Sequence, residues 1–427
     1  MTALTVSIPR TGLAVNRRAL AAGALAVFGL VDVLVFGLLA HKGDAGFALS
    51  LNGAKVVVPT IRVPAGPLAY ILGAASLAIA AARATVMESA VLRRLGIGAV
   101  LLFFVLSLLA WSDTGTWAHN IPVNVVSLLQ NTLAGSIPLI LGALAGCMGE
   151  RAGVINIAIE GQLLLGAFTA AIVASAIGVL WLGLISGALG GALVGAVLAA
   201  FAIRYLVDQI ILGVVLNLLI SGLTGYLYDR LLVPDASTYN NAHTFGPVKI
   251  PGLGDIPIIG PIFFDSTIFL YLTYAAIIAV QVGLFSTRWG LRVRAVGEHP
   301  TAADTVGIRV LGIRYRNLIL GGMLAGIGGA YLTIGTVGTF SKDMSSGLGY
   351  IALAAMIFGR WSPLGATAAA LLFGFTTALG NFLGSITVPI SPFLLAMFPY
   401  VATIIAVAGL VGRVRAPAAD GKPYVRA

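Results

Sequence analysis

Long apolar stretches, separated by short polar segments, dominate this chain. A stretch of about 17 to 25 apolar residues can cross a bilayer as a helix. The pattern predicts about twelve crossings (range ten to twelve), near residues 19–40, 67–86, 96–111, 122–146, 152–177, 179–203, 208–230, 264–286, 316–338, 347–360, 363–384 and 393–412. The short stretch 347–360 could instead be half of a broken or re-entrant helix. The fold class is therefore predicted to be an all-α, polytopic membrane helix bundle.

The composition supports this class. Of the 427 residues 59% are hydrophobic and only 9% are charged, whereas soluble domains carry about 25% charged residues. The net charge of +10 does not indicate a nucleic-acid partner, because the basic residues lie at the ends of apolar stretches. Cys147 is the only cysteine, which excludes an internal disulfide and a metal cluster held by cysteines.

The arginines predict the orientation. Residues 287–316 lie between two apolar stretches and contain six arginines, a pattern typical of the cytoplasmic side. With twelve crossings, both termini are then cytoplasmic. The predicted regions are an N-terminal extension of about three helices at 1–115, a transmembrane domain at 116–412 and a cytoplasmic tail at 413–427. We expect the tail to be disordered and its positive charge to lie near anionic lipid.

A short helix is predicted inside the arginine-rich loop. Pro300 suits the first position of a helix and Gly307 suits its end, so residues 300–306 can form two turns. A short helix with defined ends in a cytoplasmic loop is typical of a docking site for a partner. The simpler interpretation is a solvated loop whose arginines face lipid.

Polar side chains within a predicted crossing are candidates for a translocation path, because burying them in a membrane is costly. Asn156 and Glu160 are four residues apart, which would place them on one face of a helix, and Gln162 follows closely. The alternative is a structural carboxylate that fixes helix packing. Asp32, in the first crossing, is predicted to hydrogen-bond between helices.

Small residues recur at four-residue spacing, which lets helix backbones approach closely. They lie at Gly187, Gly191 and Gly195 on one predicted helix and at Gly322, Gly326 and Ala330 on another. The two glycine stripes favour plain bundle packing, with a moving interface as the alternative.

Several sequence motifs are missing from the chain. It has no G-x-x-x-x-G-K-[ST] nucleotide loop, no H-E-x-x-H and no G-x-S-x-G, and we identify no catalytic or metal-binding residues. An enzyme is therefore disfavoured. Transport remains, driven either by an ion gradient or by a partner ATPase.

Four runs together resemble the permease subunits of bacterial ABC importers, in the superfamily that includes ribose-type sugar, branched-chain amino acid and nucleoside permeases. The runs are Gly149–Gln162, Gly297–Ile308, Gly321–Ala330 and Ile357–Ala366. The letters F-G-R-W-S-P-L-G-A in the last run most resemble the nucleoside branch. The resemblance covers about residues 122–412, and the first 115 residues fall outside it.

The resemblance implies a set of partners. Two permease subunits, identical or related, would form the pathway in the bacterial plasma membrane, above two cytoplasmic ATP-binding subunits that use ATP and Mg. This chain itself would bind no cofactor, and an external substrate-binding lipoprotein would deliver the ligand. Nucleosides are the expected substrate; the alternatives are a simple sugar of the ribose type or a carrier driven by an ion gradient.

The resemblance also assigns residues to the contact with the ATPase. In the family, the loop helix docks in a groove on the ATPase. The matching positions in this chain are Glu298, Pro300, Thr301, Ala302, Ala303, Asp304 and Gly307.

Overall fold

The computed structural model describes residues 17–39, 43–51, 56–85, 89–114, 122–386, 390–391, 394, 397 and 415–425. This part of the chain contains fifteen α-helices and five short strands. The helices are α1 Arg17–Val31, α2 Ala65–Thr85, α3 Ala90–Thr114, α4 Val125–Arg151, α5 Ile159–Ile177, α6 Leu180–Ala199, α7 Gln209–Leu227, α8 Ala236–Tyr239, α9 Ile259–Phe264, α10 Ile268–Ser286, α11 Arg288–Glu298, α12 Pro300–Thr305, α13 Val310–Leu332, α14 Leu348–Phe358 and α15 Pro363–Ser385. The strands are β1 Asp44–Ala48, β2 Ile61–Pro64, β3 Val123–Asn124, β4 Val248–Lys249 and β5 Asp265–Ser266.

The predicted fold class is confirmed. Within the described ranges, nine helical segments are long and apolar enough to cross a membrane. They are Ala65–Thr85, Val91–Thr114, Val125–Arg151, Ile159–Ile177, Leu180–Arg204, Gln209–Leu232, Ile268–Ser286, Val310–Val337 and Pro363–Ser385. The first and tenth predicted crossings form shorter apolar helices, Ala21–Gly37 and Leu348–Phe358. Apart from residues 394 and 397, the predicted crossing at 393–412 lies outside the described residues, and the side on which the termini lie stays a prediction.

The chain divides into two compact units, one of which comprises Met1–Val125 and Leu383–Ile390. In this first unit β1 pairs antiparallel with β2 and parallel with β3. Asp32 is fully buried in α1's π-helical continuation, Asp32–Gly37, against the backbone of Gly73 in α2. The end of the predicted N-terminal extension, residue 115, lies outside the described residues, so that domain boundary stays a prediction.

The second unit comprises Val126–Phe382 and Ser391–Ala427, and α5, α6 and α13 meet at its centre. The glycine stripe of α6 packs directly on that of α13. A Cβ atom added at Gly191 would overlap the carbonyl oxygen of Gly322, and one added at Gly326 would overlap that of Gly187. The predicted close approach is confirmed: the two backbones touch, because no side chain separates them.

The segment after α13 is a broken helix. A π-helical turn, Thr333–Val337, ends at Gly338, whose φ is 76°, and residues 339–347 are not helical. The 11 residues of α14 then span about 16 Å, roughly half of a hydrocarbon core. This length agrees with the predicted alternative of a half-helix within residues 347–360.

Candidate functional site

The connection between α4 and α5 differs from the sequence prediction. A crossing was predicted from residue 152, with Asn156 and Glu160 on one helical face, but α5 begins only at Ile159. The reason is a C-terminal cap on α4: Gly153 has a φ of 84°, and the N–H of Val154 donates to the carbonyl of Gly149 at 3.1 Å. Asn156 therefore lies in a non-helical segment, and the shared face was wrong.

Asn156 and Gln162 bond to each other. The amide nitrogen of Asn156 donates to Oε1 of Gln162 at 3.1 Å, and the amide of Gln162 donates back to Oδ1 of Asn156 at 3.3 Å. Both side chains are fully buried. The pair thus satisfies much of its own hydrogen-bonding capacity and fixes the segment that leads into α5. Its predicted place in a translocation path stays a prediction.

Glu160 caps the N-terminus of the half-helix α14. One carboxylate oxygen accepts bonds from the hydroxyl of Ser345 at 2.6 Å and the N–H of Gly347 at 2.8 Å. The other accepts from the N–H of Gly349 at 2.7 Å. A carboxylate at this position satisfies N–H groups that lack helical partners and complements the positive end of the helix dipole. The geometry agrees with the alternative that the sequence left open, a carboxylate that fixes helix packing.

A polar cluster lies beside this cap, and its amide, Asn217, is buried. Asn217 of α7 accepts from the N–H of Gly161 at 2.8 Å and donates to the hydroxyl of Tyr350 at 3.2 Å. Tyr350 is 47% exposed, so its ring faces the outside of the unit. Sequence reasoning missed Tyr350 and Ser345. The one signal for a turn here was Gly347, because its φ of 83° is a backbone conformation that glycine adopts readily.

The predicted loop helix is confirmed as α12. It starts at Pro300 and its first residue beyond the cap, Gly307, has a φ of 82°. The preceding α11 was not predicted. It is amphipathic: Val293 and Val296 are buried, while Arg288 and Arg292 are exposed.

The residues that the resemblance assigned to the ATPase contact do not share one face. Thr301, Ala302 and Gly307 are exposed, whereas Ala303 is buried. Asp304 is half-buried and accepts a bond from the hydroxyl of Tyr424 at 2.9 Å. The remaining two positions are Glu298, which is exposed, and Pro300, which is half-buried.

Two of the resembling runs contact each other near this loop. The indole N–H of Trp361 donates to the buried carboxylate of Glu150 at 2.5 Å. Arg151 donates from Nε to the carbonyl of Trp361 at 2.8 Å, and its guanidinium lies 5.4 Å from the ring centroid of Phe285. We call residues 149–153, 287–309, 359–362 and 415–425 the loop end of the unit.

The prediction of a disordered tail is wrong for residues 415–425. These residues form a turn against α11, and Ala419 and Tyr424 within it are buried. Apolar burial of Tyr424 and backbone bonds to the loop offset the cost of ordering the segment. No local pattern indicated this order, because the tail is rich in charge, proline and alanine.

The comparisons with known proteins agree with this architecture. The family model described as branched-chain amino acid transport system / permease component matches residues 128–409. The chain belongs to this permease family. It is 40% identical to the guanosine ABC transporter permease protein NupQ of Bacillus subtilis, over 71% of this chain and 98% of NupQ. The nucleoside ABC transporter permease protein NupC of Lactococcus lactis is 39% identical over 71% of this chain and 99% of NupC.

The name of a less similar relative of the permease gives a different substrate. The putative glucose ABC transporter permease protein TsgC13 of Haloferax volcanii is 33% identical over 59% of this chain and 76% of its own length. No solved structure matches the chain. As a permease, the chain offers two regions for function: the half-helix with its Glu160 cap, and the loop end with α12.

Proposed function

We propose that this chain is the transmembrane subunit of an ATP-binding-cassette importer that takes up nucleosides across a bacterial plasma membrane. The observation that carries the substrate class is the similarity to NupQ and NupC, at 40% and 39% identity over nearly their whole lengths. The partners are cytoplasmic ATP-binding subunits that use ATP and Mg, a second permease subunit, the same or related, and an external substrate-binding lipoprotein.

The loop end supports the contact with the ATPase. The exposed face of α12 consists of Thr301, Ala302, Thr305 and Val306, and Val306 is 74% exposed. This face carries no charged side chain, so a protein partner can cover it without burying a charge. With this face in the cytoplasm and twelve crossings in all, both chain termini are cytoplasmic as well.

The half-helix supports the translocation path. Transporters place such broken helices near the middle of the membrane, where their ends bind polar ligands. Here the exposed ring of Tyr350 lies beside Asn217 and the capped turn of Glu160. An aromatic face next to amide and carboxylate groups suits a ligand that has a flat base and a ribose rich in hydroxyls.

The test is uptake in a strain from which the gene is deleted. We expect labelled guanosine and other nucleosides to enter the complemented strain and not the deletion strain, while glucose and ribose uptake stay unchanged. If the deletion strain loses only sugar uptake, the chain is a simple-sugar permease. The similarity to TsgC13 supports that alternative.

The energy source needs a separate measurement. We expect uptake to continue when a proton uncoupler is added and cellular ATP is held constant. If the uncoupler stops uptake under those conditions, a carrier driven by an ion gradient replaces the importer.

A further inference from the structure

The C-terminal residues 415–425 are bonded to the loop that carries α12. The N–H of Ala419 donates to the carbonyl of Gly297 at 2.9 Å, and the N–H of Ala418 donates to the carboxylate of Glu298 at 3.2 Å. Gly297 is the last buried residue of α11, and a Cβ atom added there would overlap the carbonyl of Arg151. Three chain segments therefore meet at this point with backbone against backbone.

Tyr424 lies beneath α12. Its ring is 92% buried (8% exposed) among Val296, Ala303 and Val310, and its hydroxyl donates to the carboxylate of Asp304 at 2.9 Å. It contacts the buried face of α12 and leaves Thr301 and the other residues of the exposed face uncovered. The tail thus supports the helix from behind and does not block the face that a partner would use.

The same segment is anchored to the transmembrane helices. Arg314, in the second turn of α13, is 2% exposed, and its Nη1 donates to the carbonyl of Lys422 at 3.0 Å. Asp420 faces Arg314 and also Glu150, at the end of α4. A buried guanidinium destabilises the fold unless it is paired. The segment supplies two partners for Arg314, the carbonyl of Lys422 and the carboxylate of Asp420. The segment therefore links α12, α13 and α4.

We propose that residues 415–425 are a tether that fixes α12 to the ends of α4 and α13, so that Glu298 and Asp304 act on ATPase coupling by holding the tether. They are positioning residues and do not themselves contact the ATPase. The proposal rests on the proposed docking of an ATPase on α12. A lever transmits force only when it is attached rigidly, and α12 has only 6 residues, bordered by Gly297 and Gly307.

The first experiment measures the tether without any partner. Hydrogen exchange of residues 299–307 is followed in the full chain, in Tyr424→Phe and in a variant that ends at residue 414. Loss of the hydroxyl bond should raise the population of the open loop about fivefold to tenfold, and removal of the tail should raise it further. Lys422→Ala is the matched control, because it keeps the carbonyl that accepts from Arg314 and its side chain is exposed. Unchanged exchange in Tyr424→Phe and in the shortened chain would overturn the tether.

The second experiment separates holding from docking. The chain is purified with its co-expressed ATP-binding subunit, and guanosine transported per ATP hydrolysed is measured in proteoliposomes. We expect Tyr424→Phe and Asp304→Ala to keep the ATPase bound but to lower transport per ATP. Val306→Asp, on the exposed face of α12, should instead release the ATPase. A double variant of Tyr424→Phe and Asp304→Ala should be no worse than Asp304→Ala alone, because both remove the same bond.

The outcomes distinguish this inference from the proposed function. If Asp304→Ala releases the ATPase as completely as Val306→Asp does, Asp304 is a docking residue and the tether is overturned, while the importer stands. If the unaltered chain neither binds an ATP-binding subunit nor transports guanosine, the proposed function fails, and the exchange measurement still decides whether the segment holds α12.

Discussion

The centre of the second unit and its loop end are held together in different ways. At the centre, α6 and α13 touch through glycines, so carbonyl oxygens and Cα atoms of the two backbones are in contact. At the loop end, hydrogen bonds between buried charges, an indole and the returning tail join the segments, as in the bond from Trp361 to Glu150. Backbone contact cannot adjust, whereas a side-chain bond can open. The difference indicates a rigid core and a loop end whose bonds can be removed one at a time.

The largest effect is expected where backbones touch. Gly191→Ala puts a methyl group where the carbonyl of Gly322 lies, so the two helices must separate, at a cost of about 3 kcal/mol. The midpoint of thermal unfolding in detergent measures the loss. Gly222→Ala in α7 is the matched control, since nothing lies within 4 Å of a Cβ atom there. Equal midpoints for the two variants would contradict the rigid core.

A smaller effect is expected at the loop end. Trp361→Phe keeps the apolar ring but removes the N–H that Glu150 accepts, which leaves a buried carboxylate without this bond at a cost of about 2 kcal/mol. Thermal unfolding again measures it. The control is Trp181→Phe, because Trp181 is 54% exposed. If both tryptophan variants unfold alike, the bond to Glu150 does not stabilise the loop end.

The cap on the half-helix should contribute about 1 kcal/mol. Glu160→Ala removes the acceptor for the N–H groups of Gly347 and Gly349, which is the usual cost of losing a helix cap. We expect faster hydrogen exchange of residues 347–350 and slower nucleoside uptake. Glu160→Gln keeps an acceptor of the same shape. Its rates of hydrogen exchange and uptake should lie between those of the unaltered chain and those of Glu160→Ala. Unaltered exchange in Glu160→Ala would show that the carboxylate has a role other than the cap.

The most local effect is a pH dependence confined to the tail. Burial raises the pKa of Asp420 from 3.8 to about 6, against the opposing effects of its bonds to Glu150 and Gly421 and of Arg314. Because the folded pKa is the higher one, the docked tail is favoured below about pH 4, and this contribution is lost as the pH rises through about 6. A spin label at Val425→Cys should therefore become more mobile between pH 4 and pH 7.

The control for this measurement is Asp420→Asn, which carries no charge and should show the same label mobility at both pH values. Cys147 is buried and is not expected to take the label. A pH dependence that persists in Asp420→Asn would assign it to another group, such as Glu150.

Local sequence signals predicted the elements well. Apolar length placed the crossings that the structure describes, and Pro300 with Gly307 placed α12 within one residue, because both residues restrict the backbone by their own geometry. The resemblance carried by four runs identified the family. The spacing of Gly187, Gly191 and Gly195 predicted that the backbone of another helix would pack closely against α6 at these positions.

Contacts between distant segments could not be predicted in this way. The cap of α4 at Gly153 broke the predicted helix, and it moved Asn156 away from Glu160. The partner of Glu160 is the turn at Gly347, nearly two hundred residues along the chain. No periodicity in a single sequence links such positions.

The sequence by itself determined a polytopic helix bundle with a short loop helix, because hydrophobic length, glycine and proline act locally. The permease family followed from the resemblance of four runs to known permeases. Only the tertiary structure decided which carboxylate caps the half-helix, which face of α12 is exposed and that the tail returns to support it. Those outcomes depend on which groups meet when the helices pack, and the free energy of a buried polar group depends on the partner that it finds there.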